Sequence, residues 1–215
     1  MSSYLTIARD GEAEIEVKRS RFRCTLVRTE DEATARAVIE RLRRQHWDAR
    51  HHCSAFLLGA ERHVERASDD GEPAGTAGAP MLEVLRGHAG EGVSDVVAVV
   101  TRWFGGTLLG AGGLVRAYGD AVRAGLEVTG TRRRRLLTEL VLELGHADAG
   151  RLESELRTRG VAVLDTTYAE GVTLLLGAAP DAVGCLHALV AELTGGTAVA
   201  RPVGDRWVDA RQPGH

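Results

Sequence analysis

The sequence predicts an α+β protein of two domains, and three observations carry that expectation. The run VSDVVAVVTR (Val93 to Arg102) is apolar and β-branched throughout, the mark of a strand buried on both faces, and a long amphipathic stretch from about Leu114 to Val128 follows it as a helix. The last third of the chain, about 75 residues, changes to the order βαββαβ, the split βαβ arrangement of ferredoxin-like domains. A chain of 215 residues that is 44% hydrophobic and 27% charged can bury one or two cores and has no disordered or fibrous bias. Together these give an N-terminal α/β sandwich over 1–131 and a ferredoxin-like domain over 135–210, with the boundary at Thr129 to Thr131 and the arginine run Arg132 to Arg135.

Each element has a local reason. Alternation from Ala13 to Val27 predicts a strand at Glu14 to Val17 and a second through Arg21 to Val27. Thr29-Glu30-Asp31-Glu32 is an acid-rich, capped helix start, and Ala33, Ala37, Ile39 and Leu42 continue it at helical spacing to about His46. His52 to Gly59 returns to strand character, with Glu61 to Arg66 as its hairpin partner. Asp69 to Pro80 (DDGEPAGTAGAP) is too rich in glycine, proline and acids for regular structure and reads as a loop, before a short helix at Met81 to Arg86. Beyond the boundary come a strand Leu136 to Leu144, a helix Asp148 to Arg159, strands Val161 to Tyr168 and Val172 to Leu176, a helix Asp181 to Leu193 and a strand Ala198 to Val203.

Composition excludes several classes. A net charge of −3 argues against a generally basic nucleic-acid-binding domain, so any RNA contact has to be local. Cys24, Cys53 and Cys185 are odd in number and widely spaced, which indicates neither a disulfide framework nor a paired zinc site. No run reaches membrane-spanning length and the start lacks the apolar core of a signal peptide, so the expected location is the cytoplasm, with no membrane partner.

Glycine is the unusual residue: 26 in all, 13 of them between Gly71 and Gly125. They concentrate in two segments. In the first, Asp69, Asp70 and Glu72 lie close enough to hold a hard cation such as Mg²⁺, although the spacing matches no calcium loop. The alternatives are a solvated turn with a helix cap from Asp70 or Thr76, or carboxylates that orient Arg102 or Arg116. In the second, Trp103 to Gly113 (WFGGTLLGAGG), glycines before a helix let the backbone approach an anion, with Arg102 before and Arg116 after. No Lys-Ser/Thr follows, and Gly110-x-Gly112-x-x-Val115 fails the dinucleotide fingerprint, so tight packing is an equal reading. In Lys18 to Arg23, a strand would place Arg19, Arg21 and Arg23 on one face as a phosphate-tracking stripe and Phe22 on the other. Arg50-His51-His52-Cys53 enters a strand, where neighbours diverge, so one metal cannot easily collect them.

Four segments taken together carry a resemblance: KRSRF (Lys18 to Phe22), ARHHCSAF (Ala49 to Phe56), DDGEPAGTAGAP and VVTRWFGGTLLGAGGLVRAYGDAV (Val99 to Val122). They resemble, in order, the hallmark blocks of the YigZ/IMPACT family. Asp69, Asp70, Gly71, Glu72, Pro73, Gly75, Thr76, Ala77, Gly78 and Pro80 match one block. Arg102, Phe104, Gly105, Gly106, Leu109, Gly110, Gly113, Leu114, Arg116, Ala117 and Tyr118 match the other, while His52 and Trp103 depart from the residues more common there. The resemblance implies a ribosomal-protein-S5 domain-2-like fold for the first domain and, for the second, a domain similar to the last domain of translocase-type elongation factors.

It also implies a connection to translation. The expected function is that of a non-catalytic regulator that binds RNA or the ribosome, with Arg21, Arg102, Gly105, Gly106, Gly110, Gly112, Gly113, Arg116 and Tyr118 as the contact surface. Asp69, Asp70, Glu72 and Thr76 would form an acidic loop behind it. The rival expectations are a nucleotide or phosphometabolite site in the same two loops, with Mg²⁺, and a protein-interaction module. No resident cofactor and no catalytic residue is expected in the first reading.

Overall fold

The computed structural model describes residues 1–210. The chain forms two compact units, Ser3–Arg133 and a second from Arg134.

The first unit contains β1 (Ser3–Ile7), β2 (Gly11–Val17), β3 (Ser20–Arg28), α1 (Glu32–Gln45), β4 (His51–Leu58), β5 (Val64–Ser68), α2 (Gly78–Gly87), β6 (Val96–Trp103) and α3 (Gly110–Thr129). Five strands form one antiparallel sheet in the order β2-β3-β6-β4-β5. Its centre is β6, and the alternation of that strand sorts the two cores. Val96, Ala98 and Val100 face α2 and α3, where Leu85, Tyr118, Val122 and Leu126 pack; Val97 and Val99 face α1, against Ala35, Val38 and Leu42. This is a three-layer α/β sandwich, and it accounts for the unbroken apolar run of β6, since neither face meets water. Asp31 caps α1 by accepting from the Thr34 amide at 2.8 Å.

Several boundaries differ from the sequence expectation. β1, bridged to the chain at Leu5↔Val93, carries no alternating pattern of its own and was not anticipated. α3 starts at Gly110 instead of Leu114, so Gly110, Gly112 and Gly113 form its first turn and are not loop. Helix α2 likewise starts at Gly78, three residues before Met81. Lys18 and Arg19, with φ of 47° and 67°, are the two-residue turn of the β2–β3 hairpin, closed by the pair Val17↔Ser20. Arg19 therefore leaves the strand face, and only Arg21 and Arg23 share it.

β7 (Thr131–Leu144) runs through the arginine segment expected to be a boundary, so Arg132 to Arg135 is strand. After it come α4 (His146–Thr158), β8 (Ala162–Tyr168), β9 (Val172–Ala178), α5 (Val183–Thr194) and β10 (Arg201–Asp209). Within the second unit the strands lie β10-β7-β9-β8, each pair antiparallel. That order, with both helices contributing to a core of Leu140, Leu142, Leu156, Leu174, Leu176, Leu186 and Val190, is the ferredoxin-like arrangement the sequence predicts. The final strand begins at Arg201, later than Ala198, because Thr194 to Thr197 finish the preceding helix with Gly195 in the left-handed region.

Candidate functional site

The acidic loop between β5 and α2 sends its carboxylates in three directions. Asp69 accepts from the amides of Gly75 (2.8 Å), Ala77 (3.0 Å) and Gly78 (2.8 Å), which folds the loop back and starts α2. Burial would raise its pKa, but the three amide donors outweigh burial and the carboxyl titrates below its ordinary value. Asp70 accepts from the His52 amide at 2.7 Å and from Arg43 at 2.8 Å. Glu72 turns into the protein. The expected helix cap from Asp70 or Thr76 is therefore supplied by Asp69, and the Thr76 hydroxyl donates to the Pro73 carbonyl at 2.7 Å. The loop does not fit Mg²⁺: each carboxylate is committed to separate donors, and no group of three or more metal-ligating side chains occurs among the described residues.

Glu72 is the centre of a buried network. Its Oε1 accepts from Arg102 Nη1 at 2.5 Å and from the Tyr118 hydroxyl at 2.7 Å. The Cys53 thiol lies 3.3 Å from the Tyr118 oxygen and 3.0 Å from the Asp69 carbonyl. Arg102 is 6% exposed, Glu72 8% and Tyr118 not at all. Burial is the main reason that the Cys53 thiol is pushed up to about 12 and that the Tyr118 phenol is raised further. His51, cross-strand from Arg102, places Nε2 4.0 Å from Glu72 while its Nδ1 meets the Asp70 carbonyl at 2.9 Å.

This geometry corrects the expected contact surface. Tyr118 is fully buried, and Arg102, 6% exposed, reaches only a cavity and not the open surface. Arg21 pairs with Trp103, and Phe22 with Arg102, so period-two alternation puts Arg21 and Arg102 on opposite faces of the sheet. On the α1 face the guanidiniums of Arg21 and Arg23 stack on the Trp103 ring at 4.7 and 5.4 Å, and Trp103 Nε1 donates to Asp48 at 2.9 Å. Arg116 lies on exposed α3 surface beside Asp120, away from the Arg102 side chain's surroundings.

The glycine segment has two roles. Gly105 is structural: a Cβ there would sit 2.0 Å from the Arg19 carbonyl carbon, and its amide donates to Ser20 Oγ at 3.1 Å. Gly106, at φ 85°, completes the turn. The first turn of α3 is different. It has no side-chain cap and no acidic residue, so the amides of Gly110 and Ala111 bring uncompensated partial positive charge to a cavity of about 400 Å³. Arg50, His51, Glu72 and Arg102 also line that cavity, with Pro73, Phe104, Leu108, Leu109 and Leu114 as its apolar part. The Arg102 guanidinium is held between the Phe22 and Phe104 rings at 5.3 and 5.7 Å, and its Nε is buried without a hydrogen-bond partner. Sequence reasoning missed Arg50 and His51 as neighbours of Arg102, because only strand register brings the start of β4 beside β6; Phe104 and Leu108 lie in the glycine segment itself, where no apolar role was assigned to them.

The comparisons with known proteins agree with the fold. Residues 18–126 match the Impact N-terminal domain, and residues 142–197 match a domain of unknown function, DUF1949. The chain is 44% identical over 172 residues to "IMPACT family member YvyE" of Bacillus subtilis (strain 168), covering 80% of this chain and 78% of that protein. The chain belongs to the IMPACT family. A second member, "IMPACT family member YigZ" of Escherichia coli (strain K12), is 41% identical over 85% of this chain and 88% of its own. A solved structure described as "Crystal structure of an hypothetical protein" is similar with a TM-score of 0.65 and 37% identity, covering 94% of this chain and 98% of that one. The cavity and the Glu72 network lie wholly within the part that matches the IMPACT N-terminal domain. No helix among the described residues is long and apolar enough to cross a membrane.

Proposed function

We propose that the first unit binds a small oxyanion, a phosphate or carboxylate group, in the cavity at the start of α3. One observation carries this reading: Arg102 is 6% exposed, yet its Nε has no partner, and the cavity it lines also meets an uncapped helix start. A buried N–H left unpaired costs about 1–3 kcal/mol, which an acceptor recovers. Helix amides and Arg50 add attraction for negative charge. The buried groups next to Glu72 do not offer a nucleophile. The Cys53 thiol, pushed up to about 12, and the Tyr118 phenol stay protonated at neutral pH and make poor nucleophiles.

The test is thermal unfolding of the full chain in inorganic phosphate or acetate against chloride at equal ionic strength. A ligand that binds the native state raises the Tm by mass action. The rise is expected to disappear in the double variant Glu72→Gln, Arg102→Gln, which leaves no unpaired charge. Absence of a rise with either anion overturns the reading.

A second reading, binding of RNA or the ribosome in translation-related regulation within the cytoplasm, is favoured by a different observation. Arg21 and Arg23 share one Trp103 ring on the α1 face, a pairing suited to phosphates and stacked bases. Glu14 holds both arginines, at 3.7 and 2.9 Å, which weakens the positive field there. Affinity for structured RNA that falls with salt and drops in Arg21→Ala and Arg23→Ala is the expected result; salt-independent binding overturns it. Capture from lysate that survives RNase would point instead to a protein partner.

A further inference from the structure

We infer that the ligand of this cavity is an amphiphilic oxyanion, a carboxylate or phosphate carried on an aryl or branched-alkyl body, and not a sugar phosphate or nucleotide. The inference rests on the oxyanion reading above and adds the ligand's other half. The head is set by Arg102. Its Nη1 is taken by Glu72, which leaves the parallel Nε and Nη2 donors as a planar fork, the geometry that grips two oxygens of one carboxylate or phosphate.

The body is set by what surrounds that fork. Apart from Arg50, His51, Glu72 and the helix amides, the lining side chains are apolar, and none is a Ser, Thr, Asn or Gln that could meet a sugar hydroxyl. Glu72 Oε1 is already shared by Arg102 and Tyr118. A ribose placed here would set most of its hydroxyls against leucine and phenylalanine, with only Arg50, His51 and Glu72 as polar side chains besides the fork itself. An apolar body gains instead. Leu108 is 83% exposed and Phe104 45%, two large apolar side chains held in water at the cavity and available to close on it. Phe104 also lies over the guanidinium, 5.7 Å from its central carbon, so an aryl body held by the fork would have that ring beside it.

Calorimetric titration of the full chain with phenyl phosphate, benzoate, inorganic phosphate and ribose 5-phosphate tests this. Phenyl phosphate or benzoate should bind at least about tenfold more tightly than inorganic phosphate and ribose 5-phosphate, the scale expected from burying one ring face. The exposed Leu108 can be changed without disturbing the core, and Leu108→Ser should weaken the aromatic ligands about fivefold while leaving inorganic phosphate unchanged. Tight binding by only one of the two aromatic ligands supports the inference and assigns the head group. Equal affinity for all four overturns the amphiphilic body and leaves the oxyanion site standing. Binding by none of the four overturns both.

Discussion

Glu72→Ala removes the one carboxylate that a buried guanidinium and a buried phenol share, and the structure sets the size of the loss. Breaking a buried ion pair by deleting one partner costs about 3–5 kcal/mol, because the remaining charge is left in the interior. The side chains here are 4% and 7% exposed and 2.5 Å apart, so the pair qualifies. Loss of the Tyr118 donor interaction, 2.7 Å long, adds part of a further 1.5–3 kcal/mol. Water entering the adjoining cavity solvates Arg102 and offsets some of both, which gives a net loss of about 4 kcal/mol for the first unit. At about 4 °C per kcal/mol for a unit of this size, the calorimetric transition should fall by roughly 15 °C. Glu72→Gln keeps an acceptor for Tyr118 but not the charge, and should lose about half as much. Adding Arg102→Gln to it should recover most of that loss, since a neutral pair replaces the stranded cation. A loss below about 1 kcal/mol in Glu72→Ala, or a double variant no more stable than Glu72→Gln, would refute this account of the network.

Three further outcomes follow from the same geometry. Asp69→Ala orphans the buried amides of Ala77 and Gly78 and should cost about 3 kcal/mol in urea unfolding; because its folded pKa is lowered, that stability is fully present above the ordinary aspartate value of about 3.9 and is lost as pH falls through the lower folded value, so the variant should lack this part of the wild-type acid transition. Gly105→Ala forces a Cβ to within 2.0–2.4 Å of the Arg19 and Ser20 backbone, and the resulting shift of the β2–β3 turn should cost more than about 2 kcal/mol; retention of wild-type stability would show the turn to be freer than its packing implies. Alkylation of the native chain should label Cys185, which is exposed, while Cys24 and Cys53, buried and both held near 12, react only after denaturation; rapid labelling of all three would contradict the closed core.

The fold was largely legible in the residues, and the site was not. Periodicity located β6 and α3, and the βαββαβ rhythm of the second unit gave its strand order, because burial on one or both faces leaves a pattern along the chain. Element starts were missed where glycine hides them: Gly78 and Gly110 open helices although their local propensity argues for loop, since Asp69, nine residues away, accepts from the Gly78 amide and α3 is held by the packing of Leu114 and Tyr118. Arg21, Arg102 and Arg116 look alike in sequence, each basic and each near a motif. Their fates diverge by strand parity and helix phase: Arg21 lies on Trp103, Arg102 is buried against Glu72 and Arg116 is in solvent. Only pairing in space, His51↔Arg102 and Arg21↔Trp103, separates them.

The charge balance at the cavity sharpens what Glu72 does there. Its carboxylate cancels the charge of Arg102 while occupying only one of that guanidinium's two nitrogen edges, so Arg102 keeps its directional donors but contributes little long-range field. Attraction at a distance must come from Arg50, which is exposed and has no ion-pair partner among the described residues, and from the α3 amides. Recognition and steering are thus divided between different groups. Removal of Arg50 should slow ligand association and reduce its salt dependence while leaving the dissociation rate nearly unchanged, whereas a change at Arg102 should act mainly on dissociation. Stopped-flow kinetics at two ionic strengths separates these effects, and an Arg50→Ala variant whose defect lies in dissociation would show that Arg50 grips the ligand directly.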